Sequence, residues 1–361
     1  MIEIETLEQF DRAAARAEAG TGSMRTWQVQ GLDLTDRQEV LRRLDPRGAL
    51  FLGGSIPEDT ADRLRAGGAL LFPAVPDVPF DPWRGRLYTP AELYDGIDAG
   101  YESTPDAQIW AWSRRAGRSL KNTLAQTLHD SSIDDALDDF TEQRHVVGVM
   151  GGHALTRDDP AYALAAHLAH DLAGTGLTVA TGGGPGAMEA ANLGARLADH
   201  PGSTVDDVLR EIASVPAFRP DVTAWARGAI ASVSALGDSG LSLGIPTWHY
   251  GHEPPNAFSS VVAKYFRNAI REDVLLEVCR SGIVFLPGAA GTVQEVFQAA
   301  CTNYYAEESQ VAPMVFVGRD YWSRTLPAWP LVSTLAEGRA LAGHLHLVDD
   351  LARVPALLGP R

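Results

Sequence analysis

At 361 residues and 45% hydrophobic content, the chain can bury a sizeable core and fits two domains better than one. A net charge of −16 argues against a broad footprint on nucleic-acid polymers or anionic membranes, where basic residues must neutralise phosphates, but leaves room for one small phosphate held by local dipoles. Two cysteines, Cys279 and Cys301, with no CxxC spacing argue against a disulfide scaffold or structural zinc and fit a reducing cytoplasm. The acidic start Met1-Ile2-Glu3-Ile4-Glu5 does not read as a signal peptide, and no apolar run approaches the ~20 residues that span a bilayer.

Residues 1–20 read as a helix with Leu7, Phe10, Ala14 and Ala15 on one side, stopped at Gly20-Thr21-Gly22. Three apolar runs follow, each introduced by glycine: Gly31-Leu32-Asp33-Leu34, residues 48–52 and residues 68–72. Helical segments at 37–44 and 58–65 separate them, which predicts a small stack of strand–helix units. Residues 73–82, with four prolines, read as an extended connector. Residues 83–112 are rich in Tyr and Trp, with a helix start at Thr89-Pro90-Ala91-Glu92, and 119–140 reads as one or two amphipathic helices. The aromatics suit either a core or subunit interface, or stacking on a nucleobase. Residues 1–140 are thus expected to form a smaller N-terminal α/β domain of unknown role, and 141–361 a second domain.

From His145 the pattern becomes strand, helix, strand. Val146-Val147-Gly148-Val149-Met150 is a buried-strand run, Gly151-Gly152-His153 its turn, 161–173 a helix and 177–180 the next strand, a βαβ unit expected in a parallel sheet. No GxGxxG follows the first strand and no GxxxxGK[ST] loop exists. The glycines gather after the second strand, in Gly182-Gly183-Gly184-Pro185-Gly186-Ala187-Met188, which favours a mononucleotide over a dinucleotide. Residues 201–237 read as a polar helical insertion. A strand at 240–246 then leads into Thr247-Trp248-His249-Tyr250-Gly251-His252-Glu253-Pro254-Pro255-Asn256. In that loop Trp248 or Tyr250 are candidates to stack a base, and His249, His252 or Glu253 to bond its edge; a plain proline-stiffened loop is the other reading.

Residues 259–279 read as one helix carrying Lys264, Arg267, Asn268 and Arg271 on a basic stripe, which is either functional or a solvated face. The strand Gly282-Ile283-Val284-Phe285 then runs into the turn Leu286-Pro287-Gly288-Ala289-Ala290-Gly291 and a helix. Its open N–H groups and positive dipole end form a ready anion site. Thr292-Val293-Gln294-Glu295 also matches a capping box, so Glu295 has both a structural and a chemical reading. A strand at 313–317, a helix at 331–340 with Pro330 at its start, an edge strand at 346–350 and a closing helix at 351–358 complete the chain.

The two turns, GGGPGAMEAAN and PGAAGTVQE, resemble the signature motifs GGGxxGxM and PGGxGTxxE of the LOG ("Lonely Guy") family in its long bacterial form, over about residues 143–320. Members are often misannotated as lysine decarboxylases. The first motif fits fully; the second has Ala289 where the family usually has glycine. The resemblance implies a Rossmann-like, doubly wound, mainly parallel sheet and hydrolysis of nucleoside 5′-monophosphates such as AMP to free base and ribose 5-phosphate. It further implies a homodimer or higher homo-oligomer. Glu295 would act with an arginine, Arg271 by spacing or else Arg267. Gly152, Gly182, Gly183, Gly184, Gly186, Met188, Gly288, Ala290, Gly291 and Thr292 would hold phosphate and sugar, with Glu189 and Asn192 nearby. No cofactor and no metal are expected, since no His or Asp cluster shows ligand spacing. The alternative is a non-catalytic nucleotide-binding module or a carrier of a phosphorylated cofactor, which would use the same turns.

Overall fold

Glycine-led apolar runs fold, as expected, into parallel strands joined by helices. The computed structural model describes residues 2–115, 119–237, 240–249 and 253–359. They divide into two units, Met1–Arg86 with Trp112–Ala136, and Leu87–Ala111 with Leu137–Arg361. In the first, β1 (Ile2–Ile4), β2 (Trp27–Gln30), β3 (Leu50–Leu52) and β4 (Leu70–Phe72) form a parallel sheet in that order. The crossovers are α1 (Leu7–Glu18), α2 (Gln38–Arg43) and α3 (Glu58–Ala66). Side-chain alternation turns Ile4, Val29 and Phe51 into one core with Phe10, Leu41 and Leu64 of the helices. Two expectations are corrected here. Residues 2–4 are a strand, and Thr6 opens α1 in a capping box with Gln9. The second strand is Trp27–Gln30 instead of the Gly31 run, because Gly31 has φ +66° and turns the chain as β2 ends.

The second unit holds β5 (Val146–Met150), β6 (Thr178–Thr181), β7 (Ser242–Gly244), β8 (Val261–Val262), β9 (Ile283–Phe285), β10 (Met314–Val317) and β11 (Leu345–Val348). All neighbours pair in parallel, in the order β11-β10-β9-β5-β6-β7-β8. Val147, Val149, Val179, Val284 and Val315 join the core of one helical layer. That layer is α7 (Pro160–Gly174), α8 (Ala187–Arg196), α9 (Gly202–Ile212) and α10 (Val222–Leu236). The alternate strand residues meet the other layer, α11 (Asn268–Val278), α12 (Ala290–Tyr305) and α13 (Ala328–Ala336). A Cβ on Gly148 would lie 2.7 Å from Cys279 Sγ, just past α11, and the Phe316 and Trp329 rings lie 5.4 Å apart. This is the expected α/β, Rossmann-like doubly wound architecture, and the first unit is the smaller α/β one. Winding runs from β5 out to β8, then restarts at β9 on the other flank of β5. The switch point therefore lies between β5 and β9, where such sheets open a crevice at their carboxyl ends.

The helix expected at 259–279 begins only at Asn268. Upstream, Val261 and Val262 are claimed by the sheet, both pairing with β7, and Val262 exchanges backbone hydrogen bonds with Tyr88 at 2.9 and 2.8 Å. The closing segment forms two 3₁₀ turns, Leu351–Arg353 and Pro355–Leu357, in place of one α-helix. The sequence placed one boundary near residue 140, whereas the structure assigns Leu87–Ala111 to the second unit. The reason is polar as well as apolar. This segment contains α4 (Pro90–Leu93) and the first part of α5 (Pro105–Arg115), the latter carrying Asp106 to the buried Lys264 ammonium at 2.5 Å. Tyr94 OH also donates to the Pro255 carbonyl. Residues 120–141 form α6 (Leu120–Thr141), and Ser132 Oγ there donates to Pro82 O at 3.0 Å within the first unit. Among the described residues no helix is long and apolar enough to cross a membrane.

Candidate active site

Three loops at the carboxyl ends of β5, β6 and β9 meet at Gly152. Its N–H donates to Pro287 O at 3.2 Å, and its carbonyl accepts from Ala187 N–H at 3.0 Å, so one residue ties both glycine turns together. The closeness demands glycine. Gly186 has φ +75°, and a Cβ there would stand 2.5 Å from Gly152 O; one on Gly288 would stand 2.2 Å from Thr292 Oγ1. Ala289, by contrast, sits at φ −102° and is exposed, so alanine replaces the motif's usual glycine without strain.

α12 starts at Ala290 with Ala289 as its N-cap and no side-chain cap. Val293 N–H is the first to bond back, to Ala289 O, which leaves Ala290, Gly291 and Thr292 N–H as the open donors of the first turn. Ala290 and Gly291 are exposed, while Thr292 is buried. The capping box that Thr292 and Glu295 could have made does not form, because the helix begins three residues earlier than that motif requires. With the cap elsewhere, Glu295 is released to face α11.

The turn after β6 is fixed from beneath. Thr181 Oγ1 accepts from Gly183 N–H at 2.9 Å and donates to Asn192 Oδ1 at 2.7 Å. Asn256 donates from its backbone N–H to Gly183 O at 2.8 Å and from Nδ2 to Gly184 O at 3.1 Å. Met188 packs over it, with Sδ 2.8 Å from a Cβ position on Gly182 and Cε 3.0 Å from one on Gly184. Asn192 thus anchors the turn from beneath, and Asn256, which sequence reasoning passed over, is its second anchor. The Pro254-Pro255 pair before Asn256 was the available signal, since it stiffens the chain on entry to the anchor.

Arg271 reaches from α11 to these turns. Its Nη2 lies 3.3 Å from a Cβ position on Gly182, its Nη1 is 3.6 Å from Glu295 Oε1, and both side chains are only 12% exposed. At 3.6 Å the pair is a charge contact looser than a hydrogen bond. Arg271 Nε is buried without a partner. Burial raises the Glu295 carboxyl to about 7, opposed by Arg271 and assisted by Glu272. Glu272 accepts from Gln294 at 2.5 Å, a bond that fastens α11 to α12 beside the pair, and from Asn268 at 2.6 Å within α11. Arg267 is the exposed N-cap of α11, accepting Arg271 N–H at its carbonyl; of the two arginines, Arg271 is the one brought to Glu295.

Other candidates go to structural work. Lys264, off the helix, is buried against Asp106, which also accepts from Trp248 Nε1 at 2.8 Å and Tyr101 OH at 2.6 Å. Trp248 itself is buried, with its ring centroid 4.7 Å from that of Phe266. Glu189 is buried in an ion pair with Arg157 at 2.5 Å. His249 is exposed. Tyr250 and His252 lie outside the described residues. No group of three or more His, Cys, Asp or Glu among the described residues is placed to hold a metal. Beside the turns opens a cleft of about 520 Å³ lined by Gly152, Leu155, Leu286, Gly288, Val317 and Tyr321, among others. Tyr321 OH donates to Gly288 O at 2.6 Å and braces the motif's glycine.

No protein-family model matches the chain, and no curated protein matches it. Among solved structures, it is similar to the molybdenum cofactor binding protein of Rippkaea orientalis, with 17% identity and a TM-score of 0.39, over 60% of this chain and 95% of that one. It is likewise similar to the molybdenum cofactor carrier protein of Chlamydomonas reinhardtii, with 17% identity, TM-score 0.38, 59% of this chain and 95% of that one. A third is the structural-genomics target TM1055, with 21% identity, TM-score 0.31, 47% of this chain and 72% of that one.

Proposed function

We propose that the protein hydrolyses the N-glycosidic bond of nucleoside 5′-monophosphates, releasing free base and ribose 5-phosphate. The observation that carries this reading is the Glu295–Arg271 pair, 3.6 Å apart and nearly enclosed, beside two glycine turns joined through Gly152. Breaking the bond builds positive charge on C1′ and O4′ and negative charge on the leaving base. The open N–H groups of Ala290, Gly291 and Thr292 suit the 5′-phosphate. Glu295, one turn further along α12, then stands beside the sugar. A carboxyl near 7 is poised to work at neutral pH: ionised, it takes a proton from water as the water oxygen bonds to C1′. The C1′–N pair leaves with the base, which takes up a proton, so the net transfer is from water to base. Arg271 steadies negative charge on phosphate or base.

Incubation with AMP, CMP, GMP and UMP, followed by chromatography for free base and a parallel binding titration, tests the reading. Base release from at least one nucleotide supports it. Binding without release leaves a non-catalytic module or phosphorylated-cofactor carrier, which needs the turns but not Glu295.

A further inference from the structure

One carboxyl group near the turns remains unused by this scheme. A Cβ on Gly184 would lie 3.9 Å from Glu253 Oε2, so Glu253 stands at one end of the Gly182-Gly183-Gly184 turn while Arg271 stands at the other. Glu253 is half-buried and, among the described residues, its side chain has no ion pair or hydrogen bond. It is also held in place: buried Pro254 and Pro255 follow it, Pro255 O accepts from Tyr94 OH, and Asn256 is bonded to Gly183 and Gly184. An acceptor-only group at the mouth of a site is met by water in the free protein and is open to exchange that water for donors that arrive with a ligand.

We infer that Glu253 is a specificity-determining residue that accepts hydrogen bonds from the vicinal 2′- and 3′-hydroxyls of ribose, and so selects ribonucleotides over 2′-deoxyribonucleotides. This rests on the reading of the site as one for nucleoside monophosphates, and it fixes the direction in which the ligand lies. A phosphate beside Glu253 meets like charge at close range, whereas at the start of α12 it meets open N–H groups. The phosphate therefore belongs at Ala290–Thr292, and the sugar edge at Gly184. A base edge offers donors too, but C1′ must stay by Glu295, which leaves the diol as the group nearest the β6 turn.

The test is a titration of AMP against 2′-deoxy-AMP, with turnover measured alongside, on the full chain and on Glu253→Ala and Glu253→Gln. The wild type is expected to prefer AMP by about tenfold or more, since a site built for a hydroxyl rejects the analogue that lacks it. Glu253→Ala is expected to bring the ratio below about threefold by losing more affinity for AMP, which gives up two hydroxyl bonds, than for 2′-deoxy-AMP, which gives up one, with an unchanged melting curve showing that the fold is intact. Glu253→Gln, whose amide oxygen still accepts, keeps part of the preference. Equal binding of both nucleotides by the wild type, binding of neither, or an unchanged ratio in Glu253→Ala overturns the assignment. Discrimination that Glu253→Ala abolishes, in a protein that releases no base, upholds Glu253 and refutes hydrolysis.

Discussion

Replacing Glu295 with glutamine separates chemistry from stability in opposite directions. Burial lifts this carboxyl from 4.5 to about 7, so between those values the folded state holds the proton more tightly than the unfolded chain. Stability from this group is therefore greatest below about 4.5, falls as pH rises through the window, and is lowest above about 7. At roughly 1.4 kcal/mol per pKa unit the penalty at pH 8 comes to about 3 kcal/mol. Glutamine cannot ionise and avoids it. Glu295→Gln is thus expected to melt roughly 4 °C above the wild type at pH 8, with most of that gain gone at pH 5, while turnover falls by about a hundredfold or more. Melting curves at the two pH values, paired with base-release assays, decide the matter. A variant that is destabilised at pH 8, or that turns over near normally, refutes the reasoning.

Arg271→Ala should lower kcat by about a hundredfold and, by removing the charge that holds the Glu295 carboxyl down, move the acidic limb of the pH–rate profile upward from about 7; an unmoved limb uncouples the pair. Gly186→Ala should cost about 2 kcal/mol or more in a melt, because φ is +75° and the new Cβ would stand 2.5 Å from Gly152 O, whereas Gly291→Ala, with open space around it, should leave stability unchanged or slightly raised. Asp106→Ala should cost about 3–5 kcal/mol by stranding the buried Lys264 ammonium. Lys264→Met should cost less, since Asp106 keeps the Tyr101 and Trp248 donors; equal losses in urea unfolding would contradict this.

Much of the second unit was legible because its signals are local. Valine runs bounded by glycine give the strands, and a glycine turn before an alanine-rich helix needs no distant information. What failed depended on partners far along the chain. Val261 and Val262 continue a helical pattern on paper, yet β7 and Tyr88 offer them a sheet edge. Lys264 fell on the basic stripe only while that helix was assumed, and its burial is set by Asp106, 158 residues away. The capping box failed for the opposite reason: Thr292 and Glu295 have the right spacing, but the turn tied to Gly152 starts α12 at Ala290. The family resemblance favoured Arg271 over Arg267, and the start of α11 at Asn268 explains why Arg267 is left exposed at the cap. Asn256 and Glu253 carried no motif, since their positions follow from where the proline-stiffened loop crosses beneath the β6 turn.

A crystal structure of the Glu295→Gln variant soaked with AMP puts the central claim to its plainest test. The phosphate is expected about 3 Å from the N–H groups of Ala290 and Gly291, with C1′ turned toward the side chain at position 295 and toward Arg271. A nucleotide whose phosphate lies away from the start of α12, or whose C1′ faces away from that pair, contradicts the account.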